Sequence, residues 1–122
     1  MKTMFYALAA SIWIVSGCAT SPPLPLVQVS IPSAEEQVML KQATISSLKD
    51  PDSAKFNGQM VIVDNKAACV EVNAKSTFGG YTGYQQAMLI KIDGIGWQVI
   101  RIKDISREIC IKALHSTIHK NL

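Results

Sequence analysis

The sequence predicts a small α+β domain with an N-terminal helix, a four-stranded antiparallel meander sheet, a C-terminal helix and one disulfide. Three observations support this fold class. A capping pattern opens a helical segment at Ser33, four runs rich in β-branched residues follow with turn residues between them, and apolar residues then recur at helical spacing. A chain of 122 residues accommodates one such domain.

The first 17 residues have the parts of a secretory signal peptide. Lys2 supplies the positive charge at the start, an apolar core follows, and Ser16 and Gly17 are the small residues of a cleavage region. The apolar core is shorter than the ~20 residues that a membrane-spanning helix needs. We therefore expect residues 1–17 to be a signal peptide and not a transmembrane anchor.

This signal ends at Val15-Ser16-Gly17-Cys18, which resembles the lipobox of bacterial lipoproteins. In that family a diacylglycerol is attached to the cysteine, the peptide bond before it is cut, and the new amino group is acylated. The resemblance implies that Cys18 becomes the first mature residue and carries the lipid. Several acyl chains hold firmly, because each buried CH₂ contributes ~0.8 kcal/mol. The alternative is an ordinary signal peptide that is cleaved near Ala19, with Cys18 removed.

The residue after the cysteine bears on the cellular location. In lipoproteins of enteric type an aspartate at this position retains the protein in the inner membrane, whereas this chain has Ala19. The resemblance therefore implies an outer-membrane anchor with the domain facing the periplasm. The inner membrane and the cell surface are the alternatives.

The charge balance bears on the partner. Removing Lys2 from the 12 basic residues leaves 11 against 9 acidic residues, a formal charge of +2. No two Lys or Arg residues are adjacent, so the basic stripe of a nucleic-acid-binding protein is missing. We expect a membrane attached through Cys18 and an envelope protein as partners, and no nucleic acid.

Residues 18–32 are predicted to be a lipidated cysteine and a proline-rich tether, and residues 33–122 the folded domain. The tether segment holds four of the five prolines, and proline favours extended backbone. Val27, Val29 and Ile31 alternate with polar residues, which is typical of a strand. These residues are assigned to the tether, with docking of its last part as a strand as the alternative.

A helix is predicted over residues 34–49. Ser33 and Glu36 match a capping box, and Pro51 ends the helix because it disfavours helical geometry at Asp50. The face predicted to pack inward contains Val38, Ile45 and Leu48, beside Ala34 and the stem of Lys41.

Four strands are predicted at residues 59–63, 68–73, 86–92 and 97–102. A tight turn, Asp64-Asn65-Lys66, joins the first pair, and Asp93-Gly94-Ile95-Gly96 joins the last pair. A final helix over residues 105–118 is predicted from the spacing of Ile105, Ile109, Cys110, Leu114 and Ile118.

Cys69 and Cys110 remain once Cys18 is acylated. An exported chain lies in an oxidising compartment, and two thiols allow only one internal pairing. We therefore expect a Cys69–Cys110 disulfide. The alternative is a reactive thiol, but neither cysteine lies in a Cys-x-x-Cys motif or beside a histidine. Cys69 faces away from Val70 and Val72 on its strand, and the sequence leaves open which face the last helix covers.

The candidate binding loop lies between the second and third predicted strands and reads Lys75-Ser-Thr-Phe-Gly-Gly-Tyr-Thr-Gly-Tyr84. Glycine permits unusual backbone conformations, and exposed aromatic rings are common anchors in binding surfaces. The alternative is a wide hairpin loop whose aromatic rings fold back onto the sheet. The candidate binding residues are Phe78, Gly79, Gly80, Tyr81 and Tyr84.

Two stretches together resemble a group of small exported bacterial and phage proteins. They are Leu48-Lys-Asp-Pro-Asp-Ser-Ala-Lys-Phe56 and Cys69-Val-Glu-Val-Asn-Ala-Lys-Ser-Thr-Phe-Gly-Gly-Tyr-Thr-Gly-Tyr84. The group shares the pattern L-x-D-P-x-S-A-x-F … C-G-x-V-N-x-K-N-x-x-G-G-Y-x-G, from which this chain departs at Val70 and Ser76. The match covers about residues 34 to 92. The resemblance implies a shared fold and a disulfide, and it supplies no activity that can be carried over to this chain.

No enzyme is predicted, and we expect no metal and no cofactor. His115 and His119 are four residues apart on the last helix, which is half of a zinc pattern. Ser116 stands where a metalloprotease helix carries its glutamate, and the sequence reveals no third ligand. Histidines near a helix C-terminus also interact favourably with the helix dipole.

The function hypothesis is a non-catalytic binding domain anchored at the periplasmic face of the outer membrane. The alternatives are a subunit of an envelope-spanning secretion or conjugation assembly and a phage-encoded surface-exclusion lipoprotein. A third class, a metal-dependent or thiol enzyme, depends on His115, His119 or a reduced Cys69.

Overall fold

Two helices cover the opposite faces of a five-stranded antiparallel sheet. The computed structural model describes Gly17 and residues 25–120, so Cys18 and almost all of the predicted signal peptide lie outside the described residues. The strands follow one another in the sheet in chain order. In that part of the chain neither helix is long and apolar enough to cross a membrane. The elements are β1 (Val29–Ser30), α1 (Ala34–Ser46), a 3₁₀ turn (Pro51–Ser53), β2 (Lys55–Val63), β3 (Ala67–Asn73), β4 (Gln85–Ile92), β5 (Gly96–Lys103) and α2 (Arg107–Lys120).

The predicted count of four strands is wrong, although the α+β class fits. The additional strand is β1, which lies within the segment assigned to the tether and pairs Val29 with Val63. Beside this pair, Gln28 and Asp64 exchange two hydrogen bonds, at 2.8 and 2.9 Å. Both residues of β1 are exposed. The strand forms because the outer edge of β2 offers unpaired N–H and C=O groups, a cause that lies outside its own sequence.

The helix α1 begins as predicted, and Leu48 beyond its end packs against the core as expected, but the fully buried residues of the helix were not in the predicted set. The Ser33 hydroxyl accepts the amide N–H of Glu36 at 3.3 Å. Leu40 and Thr44 are fully buried, whereas Val38 is exposed. The Thr44 hydroxyl donates to the carbonyl of Leu40 at 2.8 Å, which satisfies its polar group inside the core. A search for apolar periodicity therefore missed a threonine on the inward face.

The sheet carries a separate half of the core on each face, because side chains alternate along each strand. One half packs under α1 and contains Leu40, Met60, Ile62, Ala68, Val70, Val72, Ala87, Leu89 and Trp97. The other half packs under α2 and contains Val61, Val63, Ala67, Cys69, Met88, Cys110 and Leu114. The central strands are thus covered on both sides.

The disulfide joins α2 to the middle strand of the sheet. The Ser106 hydroxyl accepts the amide N–H of Ile109 at 3.3 Å at the start of the helix. Cys110, in the first turns of α2, is bonded to Cys69 on β3, 41 residues earlier in the chain. Both cysteines are buried. The predicted pairing is present, and α2 covers the face of the sheet that Cys69 occupies.

Replacing Cys69 and Cys110 together with alanine is expected to lower the free energy of unfolding by about 4 kcal/mol, because a bond across 41 residues removes chain entropy from the unfolded state. Urea unfolding of the double variant and of the native protein, both without reductant, measures the difference. The native protein with reductant is the control and is expected to approach the variant. A difference below about 1 kcal/mol would contradict the assigned role.

Candidate functional site

The candidate binding loop, between β3 and β4, and the predicted tether lie at opposite ends of the sheet. Because neighbouring strands are antiparallel, the β2–β3 turn, the β4–β5 turn and β1 share one end, and the β3–β4 loop lies at the other. β3 has seven residues, which at ~3.3 Å per residue separates the two ends by about 23 Å. The predicted tether therefore joins the domain far from the candidate binding loop.

Its own backbone hydrogen bonds order the β3–β4 loop. The amide of Ser76 donates to the carbonyl of Gly80 at 2.8 Å, and the amide of Gly79 donates to the carbonyl of Ser76 at 2.9 Å. Gly79 and Gly83 have φ angles of 83° and 91°, in the region where glycine is favoured over other residues. The loop is thus a defined protrusion.

The aromatic rings of this loop are exposed. Phe78 at the tip is 98 % exposed, and Tyr81 and Tyr84 are 43 % and 41 % exposed. Two ammonium groups lie over the Tyr81 ring, with Lys55 Nζ 4.6 Å and Lys75 Nζ 5.6 Å from its centroid, within the range of cation–π attraction. These five side chains form what we call the loop surface.

The loop is tied to the turn that follows α1. The Ser53 hydroxyl accepts the amide N–H of Lys75 and donates to the carbonyl of Asp50, both at 2.8 Å. Ser53 is itself buried, and both hydrogen bonds are partly shielded from water. This hydroxyl group therefore joins the segment after α1 to the base of the β3–β4 loop.

A cleft of about 270 Å³ adjoins the base of the loop. The end of α1, the loop base and β5 form its walls, with Leu48, Val72 and Ile102 as apolar lining and Lys49 and Lys75 among the polar lining. Pockets for drug-sized ligands measure ~300–1,000 Å³. The cleft therefore suits a single side chain better than a whole cofactor.

The other end of the sheet carries a cluster of Asp64, His115 and His119, which we call the Asp–His cluster. Asp64 Oδ2 lies 2.5 Å from His115 Nδ1 and 3.5 Å from His119 Nε2. The two imidazole centroids are 4.4 Å apart. The side chains of His115, Asp64 and His119 are 9 %, 12 % and 17 % exposed. The fold thus brings a carboxylate to the two histidines, and the sequence had revealed no such group.

The turn and the helix each position one part of this cluster. Asp64 and Asn65, in the three-residue connection between β2 and β3, have φ angles of 50° and 58°, a region that Asp and Asn adopt more readily than most other residues. This conformation places the Asp64 carboxylate beside α2. The two histidines follow Cys110 on a helix that the disulfide holds in place. Asp64 precedes His115 by 51 residues, so motif spacing gave no signal of their contact.

Burial alone would raise the pKa of the Asp64 carboxyl group, because burial disfavours its charged form. The backbone N–H of Gln28, which donates to Asp64 Oδ1 at 2.9 Å, and the side chains of His115 and His119 outweigh burial. The pKa of Asp64 is therefore lower than its ordinary value. Asp64 is thus an anionic oxygen donor at neutral pH.

The sequence-predicted site residues fall into three groups. Phe78, Gly79, Gly80, Tyr81 and Tyr84 lie together in one protruding loop. Cys69 and Cys110 form the buried disulfide, and Cys18 lies outside the described residues. No protein-family model, curated protein or solved structure matches this chain.

Replacing Asp64 with asparagine is expected to lower the free energy of unfolding by about 1–3 kcal/mol at pH 7, because charge-assisted hydrogen bonds are lost. Since folding lowers the pKa of Asp64, its charge stabilises the fold above the unfolded-state pKa of about 3.9, and this contribution disappears as the pH falls through the folded-state pKa. Urea unfolding at pH 7 and at pH 3 measures the free energy of unfolding of both proteins. The difference between the variant and the native protein should be smaller at pH 3 than at pH 7.

Asparagine is a conservative replacement at this position. It tolerates the positive φ and retains an oxygen for the amide of Gln28. Asp93→Asn, which makes the same charge change in the exposed β4–β5 turn, is the matched control and should shift stability by less than about 0.5 kcal/mol at either pH. Equal stability of Asp64→Asn and the native protein at pH 7 would refute the assigned role.

Proposed function

We propose that this chain is an outer-membrane lipoprotein whose domain binds an envelope protein at the periplasmic face and catalyses no reaction. The observation that carries the proposal is the exposure of Phe78, 98 %, at the tip of a hydrogen-bonded loop. The cost of leaving a phenylalanine ring in water is recovered when a partner buries it. Aromatic residues are also enriched among the side chains that dominate binding energy.

The anchor is proposed from the lipobox residues Val15 to Cys18. Ten residues, 19–28, separate Cys18 from β1, and fully extended they reach about 31 Å at ~3.1 Å per residue. β1 lies at the sheet end opposite to the loop surface. A lipid on Cys18 would therefore leave Phe78 and Tyr81 on the side of the domain away from the anchor.

The chemistry of the loop surface describes the partner. A protein that covers the Tyr81 ring also covers the ammonium groups of Lys55 and Lys75 that lie over it. Buried ammonium groups need oxygen acceptors, so the partner is expected to present carboxylate or carbonyl oxygens there. The cleft at the loop base adds room for one apolar side chain against Leu48 and Ile102.

Replacing Phe78, Tyr81 and Tyr84 together with alanine is expected to abolish partner capture, because these exposed rings contribute to binding and little to the core. A photoreactive amino acid at exposed position 77, introduced in intact cells, measures capture as a crosslinked product. Each anchoring ring contributes ~1–2 kcal/mol or more, so the triple variant should lose the product by at least about tenfold.

Two controls accompany this experiment. The thermal unfolding midpoint of the triple variant should match that of the native protein, which separates lost binding from lost folding. A photoreactive residue in place of Ile95, an exposed apolar residue in the turn at the opposite end of the sheet, should give no such product. Undiminished crosslinking from position 77 in the triple variant would exclude the loop surface as the binding site.

Labelled palmitate is expected to enter the native protein and not the Cys18→Ser variant, because the proposal places the acylated sulfur at residue 18. The variant should be exported and recovered without membrane attachment, as shown by cell fractionation. The matched control replaces Cys69 and Cys110 with serine and should keep the label. A native protein that incorporates no palmitate would remove the basis for the outer-membrane placement.

A further inference from the structure

We propose that Asp64, His115 and His119 bind a divalent transition-metal ion, with Zn²⁺ the best fit, and that the ion fastens α2 to the β2–β3 turn. The site lies at the end of the sheet opposite to the loop surface, so it is independent of partner binding there. The proposal departs from the sequence-based expectation that the chain binds no metal, because only the fold reveals the third ligand.

The ligand atoms are close enough to share one ion. One ligand atom from each of the three residues lies within 4.8 Å of the other two. Tetrahedral zinc with bonds of ~2.0–2.1 Å places its ligand atoms ~3.3 Å apart. Asp64 Oδ2 and His119 Nε2, at 3.5 Å, already have this spacing.

The contact between Asp64 and His115 must lengthen when the ion enters. Asp64 Oδ2 and His115 Nδ1 lie 2.5 Å apart in a hydrogen bond, and the ion would replace the proton between them. The required opening is ~0.8 Å, which small side-chain rotations supply. The imidazole of His115 then carries its remaining proton on Nε2, the tautomer that a ligand bound through Nδ1 needs.

The environment of His119 independently indicates a ligand. Its Nε2 atom is buried and has no hydrogen-bond partner in the described part of the chain, although it lies 3.5 Å from Asp64 Oδ2. Buried side-chain nitrogen and oxygen atoms have a partner in the large majority of cases. An ion held between Nε2 and the carboxylate would satisfy this atom.

The donor set selects the class of metal. Two imidazole nitrogens and one carboxylate oxygen suit Zn²⁺, Ni²⁺ and Cu²⁺, whereas Ca²⁺ and Mg²⁺ prefer oxygen ligands. Three protein ligands leave a fourth tetrahedral position for water or for a donor atom of another molecule. Tetrahedral coordination of the ion is therefore complete without a fourth ligand from this chain.

The surroundings hold the ligands in place before any metal arrives. The backbone N–H of Gln28 donates to Asp64 Oδ1 at 2.9 Å, which leaves Oδ2 directed at the histidines. The disulfide at Cys110 fixes the helix that carries both imidazoles. Such supporting contacts orient ligands and strengthen metal binding.

The test is a calorimetric titration of the chelator-stripped full chain with Zn²⁺. We expect one ion per chain with a dissociation constant of about 1 μM or tighter. Zinc at 100 times this constant should raise the thermal unfolding midpoint by on the order of 10 °C. Substitution with Co²⁺ should give the visible d–d absorption of a tetrahedral site.

Two single variants and one control assign the ligands. Asp64→Asn and His119→Gln should each weaken zinc binding by at least about 10–100-fold. Substitutions of residues that only support a metal ligand already cause losses of this size, and these two residues are ligands themselves. Asp93→Asn should leave the affinity unchanged. Both ligand variants retain His115 and the disulfide, and the far-UV circular dichroism of the metal-free proteins checks that each is folded.

Three results would overturn the proposal. The first is the absence of stoichiometric zinc binding. The second is an affinity that Asp64→Asn leaves unchanged, since the two histidines would then bind metal alone. The third is a sulfur-to-cobalt charge-transfer band, because Cys69 and Cys110 are joined in the disulfide and the band would report a thiolate at Cys18.

Discussion

The covalent bond between Cys69 and Cys110 determines where α2 lies, and much of the remaining organisation depends on that placement. β3 is the middle of five strands, and Cys69 lies on its face opposite to α1. Val61, Val63 and Met88 pack under α2 on that face. The bond contributes about 4 kcal/mol to the free energy of unfolding in the chain-entropy model. This is a large share of the ~5–15 kcal/mol that is typical of the free energy of unfolding of folded domains.

The same bond brings three distant segments of the chain together. From Cys110, at a rise of ~1.5 Å per residue, α2 carries His119 about 14 Å along the helix axis, to the end of the sheet where β1 meets the β2–β3 turn. Asp64 is the common partner there, because one oxygen accepts the amide of Gln28 and the other contacts both histidines. The last helix and the residue before β1 therefore share one carboxylate.

Features encoded by neighbouring residues could be predicted from the sequence, and features created by distant contacts could not. The central strands, the Asp64-Asn65 turn and the serine cap of α1 depend on residues within a few positions of one another. The pairing of Cys69 with Cys110 is long-range, but it followed from elimination among three cysteines. β1 has only a short alternating pattern and depends on the open edge of β2. On α1, the prediction missed the buried Leu40 and also Thr44, whose hydroxyl group is satisfied by the carbonyl of Leu40 inside the core.

The candidate sites follow the same division. The glycine and aromatic content of the β3–β4 loop marked it in the sequence, but whether its rings face solvent depends on the turn geometry around Gly79. The contacts of Lys55 with the Tyr81 ring and of Ser53 with the Lys75 amide come from a different segment, and the sequence did not predict them. The sequence predicted only part of the Asp–His cluster. Helical spacing places the two histidines on one face of α2, whereas Asp64 contacts them only because α2 packs on the sheet.

The two-residue strand β1 also affects how the chain avoids self-association. It pairs with Ile62 and Val63, the apolar end of β2, and the rest of that edge carries Lys55 and an irregular stretch between Asn57 and Val61, both of which discourage edge-to-edge pairing. Without β1, Ile62 and Val63 would lie on an open edge of the sheet. An open apolar edge is a template for pairing with another chain, so two exposed residues that add nothing to the buried core still protect the folded domain from aggregation.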